Sequence, residues 1–170
     1  MVGYDGSPDA CAALDAAIEH IGSAGTLHVM TVIDGRTLAD VDRVLRETPP
    51  GLRPTREHPE AVLRRALDDA RLLAAARGVA HAAHLIDEGS DRLGRSSVAT
   101  DGDPATALLE LVSLVGADMI AVGCHGLGRD RSFARGTVAS RIAHHAPASV
   151  LIALHHDSDG PGTVRPHHRW

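Results

Sequence analysis

Apolar residues along this chain alternate between two periods. Cys11, Leu14, Ile18 and Ile21 recur at three- and four-residue spacing. So do Leu63, Ala66, Leu67, Ala70, Leu73 and Ala74, and again Leu108, Leu109, Val112 and Val115. That spacing puts each set on one face of a helix. Between these sets lie short runs rich in β-branched or uniformly apolar residues: Thr26–Ile33, Val79–Ile86, Met119–Val122 and Ser149–Leu154. Such runs fit strands covered on both faces of a parallel sheet. Met1–Tyr4 reads as the end of a first strand, which is expected to begin upstream, because four residues are few for a central strand.

The punctuation between these segments agrees with the periods. Ser7-Pro8 and Asp103-Pro104 each place a capping side chain before a proline, the signature of a helix start. Gly22 to Gly25, Gly78 and Gly116 stop the helices that precede them. The Leu63–Ala74 face belongs to a helix predicted over Glu60–Arg77, and one further helix is predicted over Thr137–His145. Arg36–Pro59, polar and dotted with prolines, reads as a surface connection holding a short helical piece at Leu38–Leu45. Asp87–Thr100 is charged, with an extra strand expected at Ser96–Thr100. The order is strand and helix in strict alternation, ending on a strand. Right-handed crossovers turn that order into an α/β fold, a doubly wound parallel sheet. One domain is expected over 1–154, followed by a disordered polar tail over 155–170.

The stretch with the most chemistry is AVGCHGLGRDRSFARGTVAS, residues 121–140. A strand enters it, Gly123, Gly126 and Gly128 break the chain, and Gly136-Thr137 opens a helix. Glycines let backbone N–H groups approach an anion, and a helix N-terminus adds orphan donors and partial positive charge. In a doubly wound sheet, ligands bind beyond the carboxyl ends of the strands where strand order reverses. With strands one and four adjacent there, Asp5-Gly6-Ser7 and the glycine loop face each other across one nucleotide-sized crevice.

Composition narrows the chemistry. Hydrophobic residues make up 44% of the 170 and aromatics 2%, so the core must be aliphatic and alanine-rich. A net charge of -5, with no basic patch interleaved with aromatics, argues against nucleic acid. All 17 basic residues are arginine. There is accordingly no Walker lysine and no amine for a Schiff base, and phosphate contacts fall to arginine or backbone N–H groups. Arg129, Arg131 and Arg135 are the arginines in reach, as phosphate clamps or as solvated loop charges. No apolar run is long enough to span a bilayer, and no secretory segment opens the chain. Cys11 and Cys124 form no Cys-x-x-Cys pair, which points to a reducing, cytoplasmic setting.

The histidines offer two further chemistries. The adjacent pairs His144-His145, His155-His156 and His167-His168 do not present an i,i+4 ligand face, and no metal site is expected. His125, inside the glycine loop, is the better functional histidine, beside its plain reading as a turn residue. Cys124, inside the glycine loop, reads as a small residue tolerated in a tight turn, beside its reading as a redox-sensitive thiol. No catalytic constellation emerges: neither a Gly-x-Ser-x-Gly elbow nor an adenylyltransferase or pyrophosphatase signature is present.

On these residues the chain resembles the universal stress protein family. The opening Gly-Tyr-Asp-Gly-Ser-Pro, the Thr-Val-Ile-Asp at 31–34, the Gly-Asp-Pro-Ala at 102–105 and the His-His-Ala-Pro at 144–147 carry the likeness. Gly123-x2-Gly126-x9-Gly136-Thr137 is similar to the motif of that family's ATP-binding branch. The resemblance implies a five-stranded sheet of order 3-2-1-4-5 and a homodimer pairing through the last strand. It also implies ATP with Mg²⁺ as ligand. Asp5 would meet the nucleoside and Val32 the adenine, while Gly123, Gly126, Gly136 and Thr137 would hold ribose and phosphates. Gly6, Ser7, Val122, His125, Arg135 and Val138 complete the candidate site. Where the family often has a hydroxyl residue, this chain has Ala139, followed by Ser140. The segment at 87–100 looks like an insertion. The function implied is a nucleotide-dependent regulatory or sensing module of the stress response, hydrolysing ATP or phosphorylating itself at most slowly. The alternative is an ATP-independent dimeric interaction or chaperone-like protein.

Overall fold

A computed structural model describes residues 1–22, 25–49, 58–87, 103–128 and 136–155. Strands β1 (Val2–Gly3), β2 (Thr26–Ile33), β3 (Ala80–Asp87), β4 (Met119–Gly123) and β5 (Ser149–Ala153) form one five-stranded sheet in the order β3-β2-β1-β4-β5. All pairings are parallel, and Val2 at the centre is flanked by Val29 and Ala121. The helices are α1 (Pro8–Ile21), α2 (Gly35–Glu47), α3 (Pro59–Ala76), α4 (Pro104–Val115) and α5 (Thr137–His145).

The two-residue period of the strands divides the core in two. Val2, Val29 and Ala121 pack against Leu14 and Ile18 of α1 and Leu67 and Ala70 of α3. Met30, Val32, Ile120 and Val122 point the other way, onto Leu108 and Val112 of α4 and Ile142 of α5. The core is aliphatic and alanine-rich, as composition demands. Leu14, Leu27, Ile120 and Ile142 are almost wholly buried, each such side chain contributing about 1.5–3 kcal/mol. The chain steps from β1 to β2 to β3, then crosses back to β4 on the far side of β1. The strand order therefore reverses between β1 and β4, and the two loops leaving those strands open beside each other.

Local signals explain most boundaries. Ser7 caps α1 by accepting the N–H of Ala10, Asp103 caps α4 by accepting that of Thr106, and a proline occupies the first turn of each. Gly22, Gly78 and Gly116 have positive φ at helix ends, where a side chain would be strained. β3 runs one residue later than predicted, and β1 is shorter, although the Tyr4 N–H still bonds to the Met30 carbonyl.

One element differs more. The segment after β2 is no connection with a brief helical piece but a 13-residue helix, α2. Asp34 caps it through the N–H of Thr37, and Val41 is buried against Ile33 and Leu63. The mean hydropathy of this stretch is low, so its single apolar stripe gives little helical signal. All but His155 of the tail expected at 155–170, the expected strand at Ser96–Thr100 and the arginines at 129, 131 and 135 lie outside the described residues. No helix among the described residues is long and apolar enough to cross a membrane.

Candidate functional site

At the switch point, the turn after β1 is built by hydrogen bonds to its own side chains. Gly6 is buried with φ 79°, and Asp5 Oδ1 accepts the N–H of Ser7 at 2.9 Å. The Ser7 hydroxyl caps α1 and donates to the His125 carbonyl at 3.3 Å. From the next strand, Thr31 Oγ1 donates to the Tyr4 carbonyl at 2.8 Å. The turn is thereby fixed from below and from both sides.

The loop after β4 answers it. Asp5 Oδ2 accepts the Leu127 N–H at 3.0 Å, and a Cβ on Gly126 would lie 2.7 Å from that oxygen. Gly123 is small for another reason: a Cβ there would lie 2.7 Å from the backbone nitrogen of Ala10. The Gly136 N–H donates to the Cys124 carbonyl at 2.8 Å, which draws the start of α5 onto the same loop. Gly136 is the N-cap of α5. Thr137 is the first helical residue and is exposed. No side chain caps α5, in contrast to α1, α2 and α4.

Asp9, in the first turn of α1, is 5% exposed and joins three segments. Its Oδ2 accepts both the backbone N–H of His125 at 3.0 Å and the ring Nδ1 of His125 at 3.1 Å. Its Oδ1 accepts the His155 N–H, just beyond β5, at 2.8 Å. A buried carboxylate is tolerated when its oxygens are hydrogen-bonded in this way.

The third wall is α2. Arg43 donates to Asp40 Oδ1 at 2.9 Å and to the Leu127 carbonyl at 3.1 Å. A Cβ on Gly128 would come within 3.1 Å of Asp40 Oδ2. Between the walls lies a cleft of about 670 Å³. Met30, Val32, Leu108 and Val122 form its apolar side, and Arg36, Thr37, Asp40 and Arg43 its polar mouth. Tyr4 also lines it; burial pushes its phenol well above the ordinary tyrosine range, so it stays neutral, 3.3 Å from Cys11 Sγ.

Of the sequence-predicted site residues, Asp5, Ser7, Val32, Val122, Gly123, His125, Gly126, Gly136, Thr137 and Val138 all line this cleft. Gly6 shapes the turn behind the wall. Arg135 lies outside the described residues. Ala139 is 1% exposed and packs in the core beneath α5. Sequence reasoning missed Asp9, Asp40 and Arg43. An acid in a first helical turn and an i,i+3 ion pair are ordinary surface features, and no local signal ties either to a loop far along the chain. Among the described residues no group of three or more His, Cys, Asp or Glu is arranged to hold a metal ion.

Fold and site together define an α/β protein with a nucleotide-sized cleft at the switch point of a 3-2-1-4-5 sheet. The universal stress protein family model matches residues 1–153, and the chain belongs to that family. No curated protein matches it. Among solved structures it is similar to a universal stress protein family member from Burkholderia pseudomallei. Identity is 29% and the TM-score 0.55, over 89% of this chain and 91% of that one. It also shares its fold with a universal stress protein in complex with cAMP, at 24% identity and TM-score 0.58, over 90% and 93% of the two chains. A family member from Arabidopsis thaliana with AMP bound matches at 18% identity and TM-score 0.55, over 89% and 81%.

Proposed function

We propose that this protein binds ATP with Mg²⁺ in the cleft and acts as a nucleotide-dependent regulatory module of the stress response. The observation that carries this reading is the uncapped N-terminus of α5, which opens on the same cleft as the apolar wall around Val32. First-turn N–H groups without a side-chain cap favour phosphate, and an apolar wall favours a base. The cleft volume lies within the range of small-molecule sites. Val32, Met30 and Leu108 would flank the base. Asp5, whose carboxylate keeps further lone pairs after accepting two N–H bonds, would meet the nucleoside. Gly126, Gly136 and Thr137, with Arg135, would hold ribose and phosphates. Mg²⁺ would enter as the phosphate complex, since this ion is commonly held by substrate phosphates and few protein ligands. Two relatives of the same fold have cAMP or AMP bound, which supports an adenine nucleotide. The protein acts as a homodimer through β5, in the cytoplasm, and turns ATP over slowly at most.

The test is calorimetric titration with Mg²⁺-ATP of the wild type and of Thr137→Glu. A carboxylate at this exposed first helical position favours the helix dipole and leaves the fold intact, yet occupies and repels where phosphate would bind. Micromolar binding by the wild type, weakened about tenfold or more in the variant, is the expected result. Absence of binding by folded wild type would overturn the reading and leave the dimer as the functional object, as the missing hydroxyl at Ala139 favours.

A further inference from the structure

The pairing of Asp9 with His125 suggests chemistry that the nucleotide reading does not itself require. We propose that His125 accepts the proton of a water attacking the terminal phosphoryl group of bound ATP, with Asp9 as its positioning residue. The proposal rests on the nucleotide reading above.

Three observations support it. Asp9 is held in one orientation by three N–H bonds, two of them from His125 and one from His155. With Nδ1–H donating to that carboxylate, the lone pair of the neutral imidazole is on Nε2, the tautomer a proton acceptor requires. The backbone bond ties the loop to α1, and the ring bond adds control of the tautomer. Second, the location fits: His125 lines the cleft, and its Cα is 3.6 Å from where a Cβ on Gly136, the N-cap of α5, would stand. The base and the helix terminus proposed to hold phosphate therefore share one loop. Third, the carboxylates of the cleft are otherwise engaged. Asp5 binds the Ser7 and Leu127 N–H groups, Asp34 and Asp103 cap helices, and Asp40 pairs with Arg43. Imidazole is also the side chain best suited to proton exchange near neutral pH.

In the step, the water oxygen bonds to the terminal phosphorus as the bridging P–O bond breaks. The water proton passes to Nε2 of His125. ADP leaves with the electron pair of the broken bond, and the imidazolium, stabilised by Asp9, returns its proton to solvent. No other reactant is needed.

The experiment compares wild type, His125→Gln and Asp9→Asn across pH 6 to about 8.5, near the titration range of histidine. It measures Mg²⁺-ATP affinity by calorimetry, turnover by phosphate release, and the His125 tautomer by ¹⁵N NMR. Gln keeps a donor for Asp9, so His125→Gln should bind ATP within about threefold of wild type and lose about a hundredfold or more in kcat. Asp9→Asn should bind, turn over more slowly, and lose the fixed Nδ1–H tautomer in the ¹⁵N spectrum, because the ring loses the carboxylate that accepts its Nδ1–H. The wild-type ¹⁵N spectrum should show Nδ1–H. The proposal is overturned by His125→Gln with wild-type kcat and profile, by wild type that binds ATP without turnover, or by the Nε2–H tautomer. If Asp9→Asn does not fold, the His125→Gln kinetics and the tautomer decide. Wild type that does not bind ATP would instead overturn the nucleotide reading, and this one with it.

Discussion

Asp5 Oδ2 accepts the backbone N–H of Leu127 at 3.0 Å across a separation of 122 residues. Its other oxygen holds Ser7, so one carboxylate joins the turn after β1 to the loop after β4. Removing it orphans two N–H groups at once. Asp5→Ala should therefore cost about 1–3 kcal/mol in urea denaturation. It should also speed hydrogen exchange at the Leu127 amide before any nucleotide is added. Unchanged protection at Leu127 would show that the loop is held by its other contacts, among them the Arg43 bond to the Leu127 carbonyl.

Gly123 and Gly35 make a matched pair of opposite sign. A Cβ at Gly123 would meet two backbone atoms of α1, at 2.7 and 2.8 Å, that have no room to yield. Gly123→Ala should lose about 1–3 kcal/mol or more with no ligand present. A Cβ at Gly35 meets nothing within 4 Å and its φ is not positive, so Gly35→Ala should gain about 0.4–1 kcal/mol. Denaturation midpoints of the two variants, measured without nucleotide, check both signs. A valine at position 123 would thus unfold the protein, whatever the role of the loop.

His28 Nδ1 and His84 Nε2 are 2.9 Å apart on β2 and β3. Their rings are 16° from parallel, and the 5.2 Å between centroids equals that gap plus one ring radius on each side. The rings are thus nearly coplanar and end to end, sharing an in-line N–H···N bond rather than stacking face to face. Burial holds both imidazoles below the ordinary value of 6.5, with charge repulsion from His28 adding to the effect at His84. The unfolded chain then binds protons more readily than the folded one, so stability is full above pH 6.5 and falls as pH drops below it. Urea midpoints between about pH 7.5 and 5.5 should decline more steeply in wild type than in a His28→Gln, His84→Gln double variant. Parallel curves would rule the pair out as a source of acid sensitivity.

Much of this architecture was legible in the residues themselves. The helical and strand periods, the Ser7-Pro8 and Asp103-Pro104 starts and the glycine stops are short-range signals, decided within a few residues by sterics and local hydrogen bonds. They led to alternating strands and helices, and the resemblance carried by Gly123, Gly126 and Gly136 led to the strand order. The α2 helix was underread because its stability comes from Val41 packing against Ile33 and Leu63, a contact with no local signature. The site divides along the same line. The sequence placed Asp5 and the glycine loop at strand ends, from which a shared crevice followed. It could not show that Asp5 holds Leu127, that α2 forms the third wall, or that a side chain at Gly123 would collide with the backbone of α1. Nor could it join Asp9 to His125, since the two are brought together only when β4 docks beside β1. Local chemistry writes turns and caps into neighbouring residues; contacts between distant residues exist only once the sheet has chosen its order.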